Sequence, residues 1–166
     1  MHAKLHPDVT IMDLRMPVCG GVEAIRRIRA ADPAARILVL SNFEGDEDIH
    51  AALSAGAMGY LLKHSSGDQV TPAIRALMQG KRWIPREVAV HLASRERGEI
   101  LSEREREIVR LLALGEANKE IASALGITEQ TVKSHVKNIL AKLQVRDRTE
   151  AVTVALRRGI VHLPEV

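Results

Sequence analysis

A single cysteine, Cys19, stands in 166 residues, so the chain cannot close an internal disulfide. No stretch of 18 uninterrupted apolar residues occurs, which excludes a hydropathy-defined membrane span. The N-terminus "MHAKLHPDV" lacks the apolar core of a secretory leader, so a cytoplasmic location with no membrane partner is the expectation. Seven histidines are scattered singly, without the HExxH or Cys/His spacing that holds zinc. What remains is a chain with 46% apolar content, long enough for one compact domain or two small ones.

The net charge of +3 conceals an uneven distribution. Residues 1–80 carry 8 basic against 9 acidic side chains, and residues 81–166 carry 16 against 12. Between Thr128 and Arg158, 7 basic residues face 3 acids. The two halves therefore call for different partners, and a basic cluster carried on one helix suits phosphate binding.

The first half alternates short aliphatic runs with helical periodicity. The runs are "VTIMDL" (9–14), "RILVLS" (36–41) and "GYLLK" (59–63), composed as strands buried on both faces. Between and after them, Val22, Ile25 and Ile28, then Ile49 and Leu53, then Val70, Ile74 and Leu77 recur at helical spacing, the last two helices closing on Gly56 and Gly80. Such alternation predicts an open parallel sheet with right-handed crossovers, whose strands all end on one edge, where open α/β folds bind ligands. The runs end at or beside Asp13, Ser41 and Lys63. An acid, a hydroxyl and an amine are thus expected to share one crevice, the alternative being that each merely finishes its strand.

Residues 81–100 break this pattern and read as a linker holding a short helix, opened by Pro85, with Val88, Leu92 and Val90 as a weak stripe. From residue 101 on, helical periodicity is continuous. Ser102 and Glu105 form a capping box before Ile108, Val109, Leu111 and Leu112, and Gly115 ends that helix. Asn118 is placed to cap "KEIASALG", and Thr128 to cap "EQTVKSHVKNILAKL". A last helix, "RTEAVTVALRRG", follows.

Two helices separated by "GIT" have helix-turn-helix spacing, with Gly126 supplying the turn. At about 100° per residue, Val132, Val136, Ile139, Leu140 and Leu143 share one side of the second helix. Gln130, Lys133, Ser134, Lys137 and Asn138 fall mainly on the other, with no acid after Glu129. Ammonium groups neutralise phosphates or donate to guanine, and amides pair with adenine, so this face suits a DNA major groove. An ordinary amphipathic surface helix is the bland alternative.

The stretch "LSEREREI…NKEIA…TVKSHVKNILAKL" resembles the LuxR-type helix-turn-helix domain across nearly all of residues 101–160. The resemblance implies that Lys133, Ser134 and Lys137 contact bases or phosphates, with Thr131 as a weaker candidate. It further implies that the fourth helix, around Val152 and Leu156, dimerises the domain on an inverted repeat in double-stranded promoter DNA. "PDVTIMDLRMP", "ILVLSN" and "GAMGYLLK" resemble the receiver domain of NarL/FixJ-type response regulators. By that resemblance Asp13 accepts a phosphoryl group from a sensor kinase histidine, Lys63 pairs with the phosphate, Ser41 moves toward it, and Tyr60 swings with the switch.

An intact receiver carries a strand ending in two acids, a helix and a second strand before the phosphoacceptor strand, whereas "VTIMDL" begins eight residues after Met1. The fold expected is therefore an α/β receiver with a flavodoxin-like parallel sheet lacking its first two strands (1–80), a linker (81–100) and an all-α four-helix LuxR-type domain (101–166). Magnesium needs several hard oxygens in octahedral array. Asp13 and the Arg15 carbonyl alone are too few, so Mg2+ is expected only for an intact receiver, phosphorylation should be poor, and no cofactor is expected in this chain. Residues 9–14 would then form a bare apolar edge that invites pairing with another chain. A fragment of a longer regulator, a truncation covered by homodimerisation and a rearranged first half all fit. The leading expectation is a non-enzymatic DNA-binding transcriptional regulator. Two alternatives stand beside it: a phosphoacceptor module with Asp13 as nucleophile, and an interaction protein that titrates full-length regulators.

Overall fold

The structure, a computed structural model, describes residues 5–16, 19–65, 67–95 and 100–162. The chain divides into two compact units, Met1–Ala93 and Ser94–Val166.

In the first unit β1 (Thr10–Met12), α1 (Gly21–Ala31), β2 (Ile37–Ser41), α2 (Asp46–Ser54), β3 (Gly59–Leu62), α3 (Val70–Met78) and α4 (Arg86–Arg95) follow in order. The three strands are parallel and lie in the order β1-β2-β3, with Met12 opposite Val39 and Ser41 opposite Leu62. The aliphatic composition of β2 has the consequence expected of a strand covered on both faces. Ile37 and Val39 enter a core with Met12, Ile25, Ile49, Tyr60 and Val88, while Leu38 turns to the opposite face with Leu61, Ala73 and Leu77. Helices α1, α2 and α4 thus cover one face, and α3 covers the other. Among the described residues β2 is the one strand hydrogen-bonded to β1, and Ile11 is 48% exposed, the apolar edge expected there.

The segment read as a linker begins as part of this unit. Trp83 donates its N–H to the Met58 carbonyl at 3.0 Å and accepts the Tyr60 N–H at 3.1 Å, extending the sheet beside β3 by one bridge. Val88 is then fully buried in the first core with Ile84 and Leu92 packed around it, whereas Val90 is 62% exposed and leaves the expected stripe. At the end of α1, Arg29 folds back to donate to the Pro33 and Ala35 carbonyls.

The second unit comprises α5 (Glu103–Ala113), α6 (Asn118–Leu125), α7 (Glu129–Leu143) and α8 (Arg148–Arg157). Ile108, Val109, Leu112, Ile121, Val132, Ile139, Leu143, Ala151 and Ala155 form its core. The capping box forms as its sequence dictates: Ser102 Oγ accepts the Glu105 N–H at 3.3 Å, and Glu105 Oε2 accepts the Ser102 N–H at 2.7 Å. Asn118 is not a cap. It is the first helical residue, Ala117 occupies the capping position, and Glu120 satisfies the Ala117 N–H at 2.6 Å. Gly126 ends α6 at φ 63°, a left-handed conformation that costs glycine little. Thr128 then caps α7 by accepting the Thr131 N–H at 3.1 Å.

Candidate functional site

The end of β1 and the end of β3 carry the first pair of interest. Asp13 Oδ2 accepts a hydrogen bond from Lys63 Nζ at 2.5 Å, and its Oδ1 accepts the Arg15 N–H at 3.2 Å. Burial pushes the Asp13 carboxyl up, but the Lys63 hydrogen bond, the Arg15 and Leu14 amides and the Lys63 charge outweigh it, so the group sits below the ordinary carboxylate value. An ionised oxygen at a partly open strand end is what nucleophilic attack on phosphorus requires. The loop bearing Asp13 is held close to α1 because Gly21 donates its N–H to the Leu14 carbonyl at 2.9 Å. A Cβ at Gly21 would lie 2.2 Å from the Asp13 carbonyl oxygen and 2.6 Å from the Leu14 Cα, so the approach depends on glycine.

Since β2 lies between β1 and β3, Ser41 at its end lies between the strand ends carrying Asp13 and Lys63. Ser41 is fully buried and its Oγ accepts the Phe43 N–H at 3.2 Å. Tyr60 is also fully buried, and its hydroxyl donates to the Phe43 carbonyl at 2.5 Å. Burial pushes the Tyr60 phenol far up, against the opposing effect of its hydrogen bond with Ser41. All four residues expected at this site thus cluster around the strand ends, with Tyr60 in an inward position. Arg15 completes the group, its guanidinium lying 4.5 Å from the centre of the Phe43 ring. That contact joins two loops, and no spacing in the sequence announces it.

The residues described here do not fit a magnesium ion. Asp13 is one carboxylate, and among the described residues no three His, Cys, Asp or Glu side chains gather as a metal would need.

In the second unit, α6 and α7 enclose the turn at Gly126. Val132, Ile139 and Leu143 are buried, with Val136 and Leu140 packed beside them. Gln130, Thr131, Lys133, Ser134, Lys137 and Asn138 are all exposed. The outer face therefore carries amide, hydroxyl and ammonium groups together, and its one acid, Glu129, pairs with Lys133 at 2.9 Å. Val152 and Leu156 on α8 are half-buried and packed against the helical core.

An acid paired with an ammonium at the ends of parallel strands, followed by a helix-turn-helix with an acid-poor outer face, defines a two-component response regulator with a DNA-binding output domain. Comparison with known proteins agrees for both units. The model of the response regulator receiver domain matches residues 1–75, and that of the luxR family of bacterial regulatory proteins matches residues 99–155. The chain is 42% identical over 163 residues to response regulator protein VraR of Staphylococcus aureus, covering 95% of this chain and 78% of that protein. Among solved structures, response regulator ChrA of a heme-sensing two-component system is 37% identical, with a TM-score of 0.51 over 94% of this chain and 78% of that one. RcsB from Salmonella enterica serovar Typhimurium, bound to promoter P1flhDC in the presence of a phosphomimetic, is 29% identical, with a TM-score of 0.65 over 92% of this chain and 76% of that one. The chain belongs to the response regulators that join a receiver domain to a luxR-family DNA-binding domain. Among the described residues no helix is long and apolar enough to cross a membrane.

Proposed function

We propose that this regulator reads promoter DNA by laying α7 in the major groove, with Gln130, Thr131, Lys133, Ser134, Lys137 and Asn138 toward bases and phosphates. The observation that carries the reading is the joint exposure of these six side chains opposite a buried Val132, Ile139 and Leu143. Val152 and Leu156 on α8 offer a surface for a second copy, and two recognition helices then meet an inverted repeat. RcsB dimers bound to DNA, 30% identical to this chain with a TM-score of 0.64, support binding of DNA as a dimer by analogy.

In the first unit Asp13 is the proposed acceptor of a phosphoryl group from a sensor histidine kinase, with Lys63 as its counter-charge and Ser41 and Tyr60 as the responding pair. The lowered Asp13 carboxyl favours this role. A second reading, in which the chain titrates other regulators, is favoured by the exposed Ile11 on the β1 edge.

Selection of duplexes from a randomised double-stranded DNA pool by the full chain tests the leading reading. The expected result is an enriched inverted repeat whose binding is lost when Lys133, Ser134 and Lys137 are changed together to Ala. Recovery of no motif sinks it. Intact-mass measurement after incubation with Mg2+ and acetyl phosphate tests the acceptor, since a gain of one phosphoryl mass must disappear in Asp13→Asn.

A further inference from the structure

The basic residues between Thr128 and Arg158 do not all face solvent. Lys142, in the last turn of α7, has a side chain 27% exposed and donates to Glu105 Oε2 at 2.7 Å, with the Ile100 carbonyl 3.5 Å from the same Nζ. The Glu105 side chain is 5% exposed, and its Oε2 also accepts the Ser102 N–H. Burial pushes the Glu105 carboxyl up, but the hydrogen bonds from Lys142 and Ser102 and the Lys142 charge prevail and hold it below the ordinary value. The preceding residue grips the other helix of the motif, since Arg104 Nη2 donates to the Leu125 carbonyl at 2.7 Å, at the C-terminal end of α6. Two adjacent residues in the first turn of α5 thus each hold the end of one helix of the helix-turn-helix.

We infer that Glu105 and Lys142 are positioning residues for DNA recognition, fixing the angle of α7 through a shielded ion pair, and that Lys142 makes no contact with phosphate. The inference rests on the DNA-binding reading of α7. Removing one partner of a shielded pair leaves the other charge uncompensated, which is far costlier than loss of an exposed pair. An ammonium that touches phosphate betrays itself differently, because each one adds about 0.9 to the slope of log affinity against log salt.

The test is fluorescence anisotropy of the full chain with its selected duplex across a salt series. Lys142→Met keeps the alkyl stem, and Glu105→Gln keeps an acceptor for the Ser102 N–H. Each is expected to weaken binding by about tenfold with the salt slope unchanged, and the double variant to lose little more than either single, as coupled neighbours do. Lys142→Arg is expected to restore affinity. A slope that falls by about one unit in Lys142→Met assigns a phosphate contact and overturns the inference, as does unchanged affinity in both single variants. Circular dichroism shows which variants are folded. Where Lys142→Met is not, Glu105→Gln and Lys142→Arg carry the comparison. Should the unaltered chain bind no duplex, the proposed function fails separately. Amide exchange in the last turn of α7 then decides, faster exchange in the folded variants supporting the positioning role and unaltered protection refuting it.

Discussion

Lys63 and Asp13 stand fifty residues apart in the sequence, and the Lys63 ammonium donates to the Asp13 carboxylate at 2.5 Å. The pair joins the ends of the two outer strands of a parallel sheet across β2. Its effect is to keep an acid ionised where burial alone would favour the neutral form.

That balance predicts a direction. In Lys63→Met, burial opposes only the backbone amides, so the Asp13 carboxyl titrates at higher pH, measurable by carbon NMR of the carboxyl. A folded-state value below the free one means that the stabilisation is present above about pH 3.9 and is lost as pH falls through the lower folded value. Acid unfolding of the first unit is therefore expected to begin at higher pH in Lys63→Met. A carboxyl titration that does not move would show that the amides alone hold Asp13 down.

Gly21 and Gly20 are neighbours with opposite tolerance. A Cβ at Gly21 meets backbone atoms of Asp13 and Leu14, whereas one at Gly20 meets nothing within 4 Å. Gly21→Ala is expected to destabilise the first unit by about 1–3 kcal/mol, the usual range for overpacking. Gly20→Ser places an acceptor at the N-cap of α1 and is expected to be neutral or slightly stabilising. Urea unfolding of both variants checks the contrast, and equal losses would remove the steric account.

The Tyr60 hydroxyl is buried and donates to the Phe43 carbonyl. Tyr60→Phe removes the donor and leaves that carbonyl with one partner fewer, a change expected to cost about 1 kcal/mol. Chemical denaturation measures it. A stability unchanged within error would mean that the inward position does not depend on the hydroxyl.

The strand ends were legible because a parallel sheet sends every strand out on the same edge, so Asp13, Ser41 and Lys63 follow from three aliphatic runs. The inward position of Tyr60 was not legible, since the acceptor it meets belongs to the Phe43 loop. Arg15 over Phe43 is equally a meeting of two loops. The α6 boundary shifted by one residue: Ala117, which has no side-chain acceptor, stands at the capping position, and Glu120 reaches back to accept its N–H. Lys142 was counted among the basic residues between Thr128 and Arg158, yet it sits three residues after Ile139 and one before Leu143, next to the apolar stripe. That placement was the available signal, and Glu105 in the capping box was its partner.

The two lysines at the centre of the α7 outer face should behave differently from each other. Lys137 has Lys133 and Ala141 one turn away on either side, whereas Lys133 pairs with Glu129 at 2.9 Å, both side chains about half exposed. If Lys137 neutralises one phosphate, Lys137→Ala lowers the salt slope by about 0.9. Glu129 presents a like charge to the same phosphates and occupies Lys133, so Glu129→Gln is expected to tighten binding and steepen the salt dependence as Lys133 becomes free to engage DNA. The helix gives up a favourable N-terminal acid in that variant, an effect of about 0.3–1 kcal/mol on stability that circular dichroism separates from binding. Anisotropy titrations of the three proteins against one duplex over a range of salt settle the matter. Weaker binding by folded Glu129→Gln would mean that the Glu129–Lys133 pair orients the lysine for its contact rather than withholding it.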